Sequence, residues 1–184
     1  AAYWWRPAGF TTFEGLPVSP AAVAASRNAL AAIAKGAPAM PVPAWCAPLG
    51  RRIDASGNMI GDGRFALERG KAQGFTTSPR MDAAVANLAV ALVDEFQLGR
   101  DAAPDVLSVG LSATDTIGHT LGAGGLEMCI QMAELDKTIG ALLAQLDRRR
   151  LDYVVVLTAD HGGFDVVDRQ RQQAYPRAVR GDPG

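Results

Sequence analysis

The chain has 184 residues, of which 48% are hydrophobic and 20% charged, enough for one domain with a buried core. Its formal net charge of -1 and pI of about 6.1 supply no basic field to hold nucleic acid. No apolar run approaches the roughly 20 residues that span a bilayer, so neither nucleic acid nor a membrane is an expected partner.

Residues 3–13, Tyr3-Trp4-Trp5-Arg6 through Gly9-Phe10-Thr11-Thr12-Phe13, are aromatic and β-branched and are split by Pro7 and Gly9. They predict two short strands around a turn, with the aromatic rings as core or interface packing. Ser19-Pro20 then supplies an N-cap and a first-turn proline, and the Ala-rich segment with Val23, Leu30 and Ile33 predicts a helix ending at Gly36. From Ala37 to Gly63 the prolines and glycines forbid a long element. Short strands are expected around Met40 to Trp45 and Arg51 to Asp54. Asp54, Asn58 and Asp62 resemble a calcium loop in composition, but the spacing and terminal Glu are absent, and turn chemistry is the preferred reading.

Arg64 to Phe75 is ambiguous, with an edge strand as one reading. Ser78-Pro79 repeats the cap-and-proline device, and Val85, Leu88, Ala89, Leu92, Val93 and Phe96 follow at helical spacing up to Gly99. Val106 to Leu111 reads as a buried parallel strand. A long helix is expected from Gly125 to Arg149, with Met128, Met132, Leu135, Ile139, Leu142 and Leu146 on its core face. Arg148-Arg149-Arg150 reads as a solvated terminus complementing the helix dipole. Tyr153 to Leu157 is a second buried strand, and strand, helix and strand make a right-handed βαβ unit. A short helix and a loop are expected after Gly163. The organisation is a single partial domain over 1–184: an irregular, insert-like region at 3–75 with a helix near 20–35, then an α/β core at 78–184.

Cys46 and Cys129 lie far apart with no Cys-x-x-Cys spacing. A bridge between them stays open, but Cys129, in an apolar helical context, is read as an inert buried thiol. The compartment does not follow from this. The absence of an initiating Met and of a signal peptide reads as a piece of something longer.

The chemistry lies between Pro104 and Gly163. Both of the chain's histidines are there, each with a nearby carboxylate: Asp115 four residues before His119, and Asp160 directly before His161. Either pair alone is more often a cap or a satisfied core histidine. Joined by a βαβ unit, the two pairs sit at adjacent strand ends, where α/β proteins assemble ligands, and they suit two cations about 3.5–4 Å apart. Zinc accepts imidazole and carboxylate and polarises a phosphoryl oxygen, which suits in-line displacement on phosphate or sulfate esters. Gly118, Gly162 and Gly163 would let backbone approach a metal or substrate, or are simple turn glycines.

Ser112-Ala113-Thr114-Asp115-Thr116-Ile117-Gly118-His119, then Glu127 and Leu135-Asp136, then Leu157-Thr158-Ala159-Asp160-His161-Gly162-Gly163-Phe164-Asp165, resemble the alkaline phosphatase superfamily. The nearest likeness is to bacterial alkaline phosphatases with a threonine nucleophile and to their type I phosphodiesterase and nucleotide pyrophosphatase relatives. It runs from about Tyr3 to Asp182 and is most specific between Asp105 and Gly163. The resemblance implies a three-layer α/β fold, present here as an incomplete piece, and a di-zinc centre acting through a covalent phospho-threonine. Asp115 and His119 match ligands of one zinc, completed in the family by a further histidine. Asp160 and His161 match ligands of the other, completed by an aspartate and the nucleophile.

Two histidines cannot supply the last ligand, and no nucleophile is matched, so the expectation is an internal fragment, inactive alone and missing N- and C-terminal segments of its parent. The expected activity of that parent is phosphomonoester hydrolysis on a small phosphate ester, in the periplasm or outside the cell. The alternatives are a nucleotide pyrophosphatase/phosphodiesterase and a non-catalytic metal-binding or structural fragment. A sulfatase is disfavoured because no Cys-x-Pro-x-Arg motif is present.

Overall fold

The computed structural model describes residues 1–55 and 57–179; the expected terminal loop from Arg180 to Gly184 lies outside them. The chain opens with a hairpin of β1 (Trp4–Arg6) and β2 (Gly9–Thr11), antiparallel with Trp5 opposite Phe10. Gly9 turns this hairpin at φ 125°, and a Cβ there would overlap Ser26. The Ser26 hydroxyl accepts the Phe10 N–H at 2.8 Å and donates to the Ala22 carbonyl, fastening the hairpin to the first helix. Trp5 packs edge-on against Phe10 and also lies against Phe75, so the aromatic opening is core packing.

The first helix, α1 (Pro20–Lys35), starts as its sequence predicts: the Ser19 hydroxyl accepts the Ala22 N–H, and the carboxylate of Glu95 accepts the Ala21 N–H from across the fold. Gly36 ends it at φ 71°. The Pro/Gly-rich excursion holds a 3₁₀ turn at Ala47–Leu49 and a hairpin of β3 (Ile53–Ala55) with β4 (Asn58–Ile60). Asp54 accepts the Gly57 N–H, which is turn chemistry. The strand expected at Met40 to Trp45 is absent; Met40 makes a backbone bond to Arg64, and Ala37 pairs with Leu67 as an isolated bridge. Prolines 38, 41 and 43 remove the donors a ladder needs.

A short helix α2 (Ala72–Thr76) precedes α3 (Pro79–Glu95). Ser78 does not cap α3 with its side chain; its hydroxyl donates to the Phe75 carbonyl instead. Helices α4 (Ala113–Leu121), α5 (Leu126–Arg148) and α6 (Val167–Gln172) complete the order. The main core gathers Phe10, Ile33, Phe75, Leu88, Leu92 and Ile117 from β2 and four helices. The apolar stripe of α5 is less buried than its spacing predicts: Ile130 is sealed, whereas Met132 is 49% exposed and the C-terminal half is only part-covered. Arg149 is not merely solvated, because its guanidinium makes two 2.6 Å bonds to Asp94 and ties the end of α5 to the end of α3.

The largest departure concerns the two predicted buried strands. Segments 106–111 and 153–157 run without secondary structure and form no parallel ladder; the sheets among the described residues are the two antiparallel hairpins. Val106, Val154 and Val156 are 93, 91 and 85% exposed. Their β-branched runs have strand propensity, but a strand forms only against a neighbour that takes its N–H and C=O groups, and no described segment does so.

Cys46 and Cys129 form a disulfide, with Cα atoms 5.6 Å apart. This corrects the inert-thiol reading. Cys129 lies in the first turns of α5, and the proline-rich excursion packs Cys46 onto Leu126 and Ile130 of the same helix, bringing both sulfurs together.

Candidate metal centre

Asp115 and His119 stand on a helix rather than the expected strand-end loop, four residues apart on one face of α4. His119 Nε2 is 3.3 Å from Asp115 Oδ1. His161, on the segment before α6, brings its Nε2 to 3.6 Å from the same Asp115 oxygen and to 3.7 Å from Asp160 Oδ2. Asp115 Oδ1 therefore lies near both rings, and Asp160 joins them only through its neighbour His161.

The His161 ring is oriented from its far side. Its Nδ1 lies 2.8 Å from the Gly162 carbonyl, an arrangement that assigns the proton to Nδ1 and leaves the Nε2 lone pair facing the carboxylates. That carbonyl, more than the charge of Asp160 or Asp115, raises the His161 pKa above its ordinary value, with desolvation opposing. The Asp160 carboxylate accepts the backbone N–H of His161 at 3.0 Å.

The donor chemistry of two imidazoles and two carboxylates fits zinc. Each motif contributes one of each, fewer than the ligands of a closed zinc site, and among the described residues no group of three or more His, Cys, Asp or Glu is assembled to hold an ion. A Cβ at Gly162 or Gly163 would meet nothing within 4 Å, so within this chain neither position demands glycine for close approach.

The residues that position the site escaped the sequence reading. Asp82, in the first turn of α3, is 1% exposed. It accepts the Ala113 N–H at 3.0 Å and the Gln131 amide at 2.7 Å, and Gln131 in turn donates to Thr114. At the other end of α4, Arg169 of α6 pairs with Asp165 and donates to the Leu121 carbonyl at 3.2 Å. The glycines of the intervening turn make room: a Cβ at Gly122 or Gly125 would overlap the Arg169 guanidinium. Asp82 did carry a signal, since it precedes Val85 and Ala89 at helical spacing and so falls on the apolar face.

The family model described as type I phosphodiesterase / nucleotide pyrophosphatase matches residues 8–177. The alkaline phosphatase PhoK of Sphingomonas sp is 40% identical over 181 residues, 97% of this chain and 32% of its own length. The alkaline phosphatase PhoD of Zymomonas mobilis is 42% identical over 143 residues, 77% of this chain and 25% of its own. The crystal structure of the alkaline phosphatase PafA superposes with a TM-score of 0.76 over 93% of this chain and 36% of that one, at 20% identity, which shows an alkaline-phosphatase-like α/β fold. The chain spans about a third or less of the length of these relatives.

Proposed function

The chain belongs to the type I phosphodiesterase / nucleotide pyrophosphatase family, within the alkaline phosphatase superfamily, and from that membership we propose that it is the part of a phosphate-ester hydrolase that carries one carboxylate–imidazole pair for each of two zinc ions. Asp115 and His119 would hold one ion and Asp160 and His161 the other. Zinc bound there would supply Lewis acidity toward a phosphoryl oxygen. The chain's own contribution is to aim the rings: the Gly162 carbonyl fixes the His161 tautomer, and α4 presents Asp115 and His119 together. The observation that carries the reading is the convergence of both imidazoles on Asp115 Oδ1, at 3.3 and 3.6 Å.

Phosphomonoester hydrolysis is the favoured activity, because the relatives above are named alkaline phosphatases. The diester reading is kept alive by the description of the matching family model. In this proposal the nucleophile and remaining ligands come from outside these residues, so the 184-residue chain alone does not turn over. The disulfide supports an oxidising location, periplasmic or extracellular.

Zinc titration by calorimetry tests the site. Binding by the unaltered chain, lost in His119→Ala and His161→Ala, is expected; no binding would sink the assignment and leave a structural piece as the reading. Release of nitrophenol from p-nitrophenyl phosphate by the 184-residue chain would overturn its proposed inactivity. In the longer parent enzyme, comparing that monoester with bis(p-nitrophenyl) phosphate decides between phosphatase and phosphodiesterase.

A further inference from the structure

A nine-residue helix is too short to be stable alone, yet α4 carries half of the candidate ligands. Its N-terminus also lacks its usual support: the N-cap Ser112 makes no side-chain capping bond. The Ala113 N–H, which has no partner within the helix, is taken instead by Asp82, 31 residues earlier and in another helix. The same carboxylate holds Gln131 of α5, whose amide reaches the Thr114 hydroxyl beside Asp115. At the C-terminus, the Leu121 carbonyl is taken by Arg169, which is 4% exposed and locked to Asp165 at 2.6 Å. A buried anion thus sits at the positive end of the helix dipole and a buried cation at the negative end.

We infer that Asp82 and Arg169 are positioning residues for the metal pair on α4, clamping the helix at both ends so that Asp115 and His119 are held ready for a cation neither clamp touches. Arg169 has a second reach: Asp165 and α6 follow the His161 segment in the chain, so the same guanidinium joins the two halves of the centre. Groups hydrogen-bonded directly to metal ligands alter affinity by about 10–100-fold when removed; Asp82 and Arg169 act one step further out, through the backbone of α4, so the lower end of that range is the expected effect. The inference rests on the zinc reading above.

Zinc affinity of the 184-residue chain, measured by calorimetry at matched folded fraction from circular dichroism, is the readout. Asp82→Ala and Arg169→Lys are expected to weaken zinc by about tenfold; lysine keeps the charge toward Asp165 but loses the fork that reaches Leu121. Asp82→Asn is expected to bind as the unaltered chain does. Its carbonyl still accepts from Ala113, and a turned Gln131 amide offers Oε1, which has no partner now, to the new NH₂ and to Thr114. A merely structural role would lower unfolding free energy and leave the affinity of the folded molecules unchanged.

Unchanged affinity in Arg169→Lys, or equal weakening by Asp82→Ala and Asp82→Asn, would overturn the inference. Should Asp82→Ala fail to fold, Arg169→Lys and Asp82→Asn decide it. Failure of the unaltered chain to bind zinc overturns the metal reading itself, a distinct result visible before any clamp variant is made.

Discussion

Glu127 and Gly61 are separated by 66 residues and joined by a 2.7 Å hydrogen bond, and the same Glu127 oxygen accepts the Gly63 N–H at 3.0 Å. One buried carboxylate therefore shapes the turn after β4 and fixes it to the start of α5. Glu127→Ala leaves two backbone donors without their acceptor. It is expected to lower unfolding free energy by about 3–6 kcal/mol, by summing two bonds to a charged acceptor, as read by urea denaturation. Glu127→Gln keeps a carbonyl for both donors and is expected to lose less; equal losses would refute this account.

The Cys46–Cys129 bridge closes a loop of sequence separation 83. Constraining that loop in the unfolded chain is worth about 4.5 kcal/mol in the chain-entropy model. The Cys46→Ala/Cys129→Ala double variant is expected to lose stability of that order. Cys46 is fully buried whereas Cys129 is only half-buried, so after brief mild reduction of the folded protein a thiol-reactive dye should label Cys129 and spare Cys46 until the chain unfolds. Rapid labelling of Cys46 in the folded chain after that reduction would contradict its buried placement.

Burial holds the Asp82 carboxyl above the ordinary carboxylate range, with the Ala113 and Gln131 hydrogen bonds opposing the shift. An acid raised in the folded state contributes stability that is complete below its unfolded pKa of about 3.9 and is lost as pH rises through the folded value. Asp82→Asn does not titrate. Its unfolding free energy relative to the unaltered chain should therefore improve as pH rises from about 4 toward neutrality and then level off. Urea unfolding at a series of pH values reads this directly, and a difference flat in pH would disprove it.

Val154 and Val156 share one face of an extended segment, by the period of two, and both are open to solvent. An apolar extended run with unpaired backbone recruits other chains. The Val154→Lys/Val156→Lys variant is expected to reduce self-association in light scattering while shifting unfolding free energy by no more than about 0.5 kcal/mol per site. A large loss of stability would show that these valines are covered in solution.

Helices were legible from sequence because their signals are local. Ser19-Pro20 and the Gly36 stop are read within a few residues, and α1, α3 and α5 fall where the periodicity puts them. The candidate ligands were singled out because two carboxylate–imidazole pairs recur within one stretch and match the superfamily motifs; either pair alone is more often a cap or a core histidine. What failed was whatever depends on distant partners. Val106 to Leu111 has strand propensity but no described neighbour to pair with, Ser78 had a better acceptor in Phe75 than the helix it precedes, and Cys129 found Cys46 through packing that no spacing announces. Arg169 was hidden for the same reason, being polar in sequence and buried where α4 ends against it, whereas Asp82 shows in sequence only through its place on the apolar face of α3.

The exposed extended segments give the two ligand pairs unequal footing. Amide hydrogens of α4 lie in a helix packed on α5 and tied at both ends, so their exchange with deuterium is governed by large-scale opening. Those from Tyr153 to Asp160 have few partners and should exchange at rates near those of a free peptide. Under the zinc proposal, Asp115 and His119 would form a prepared half-site, whereas Asp160 and His161 would lose conformational freedom on binding the ion. In that proposal the entropy of ordering that one segment, more than any distortion of α4, would hold zinc affinity below what four preordered ligands would give.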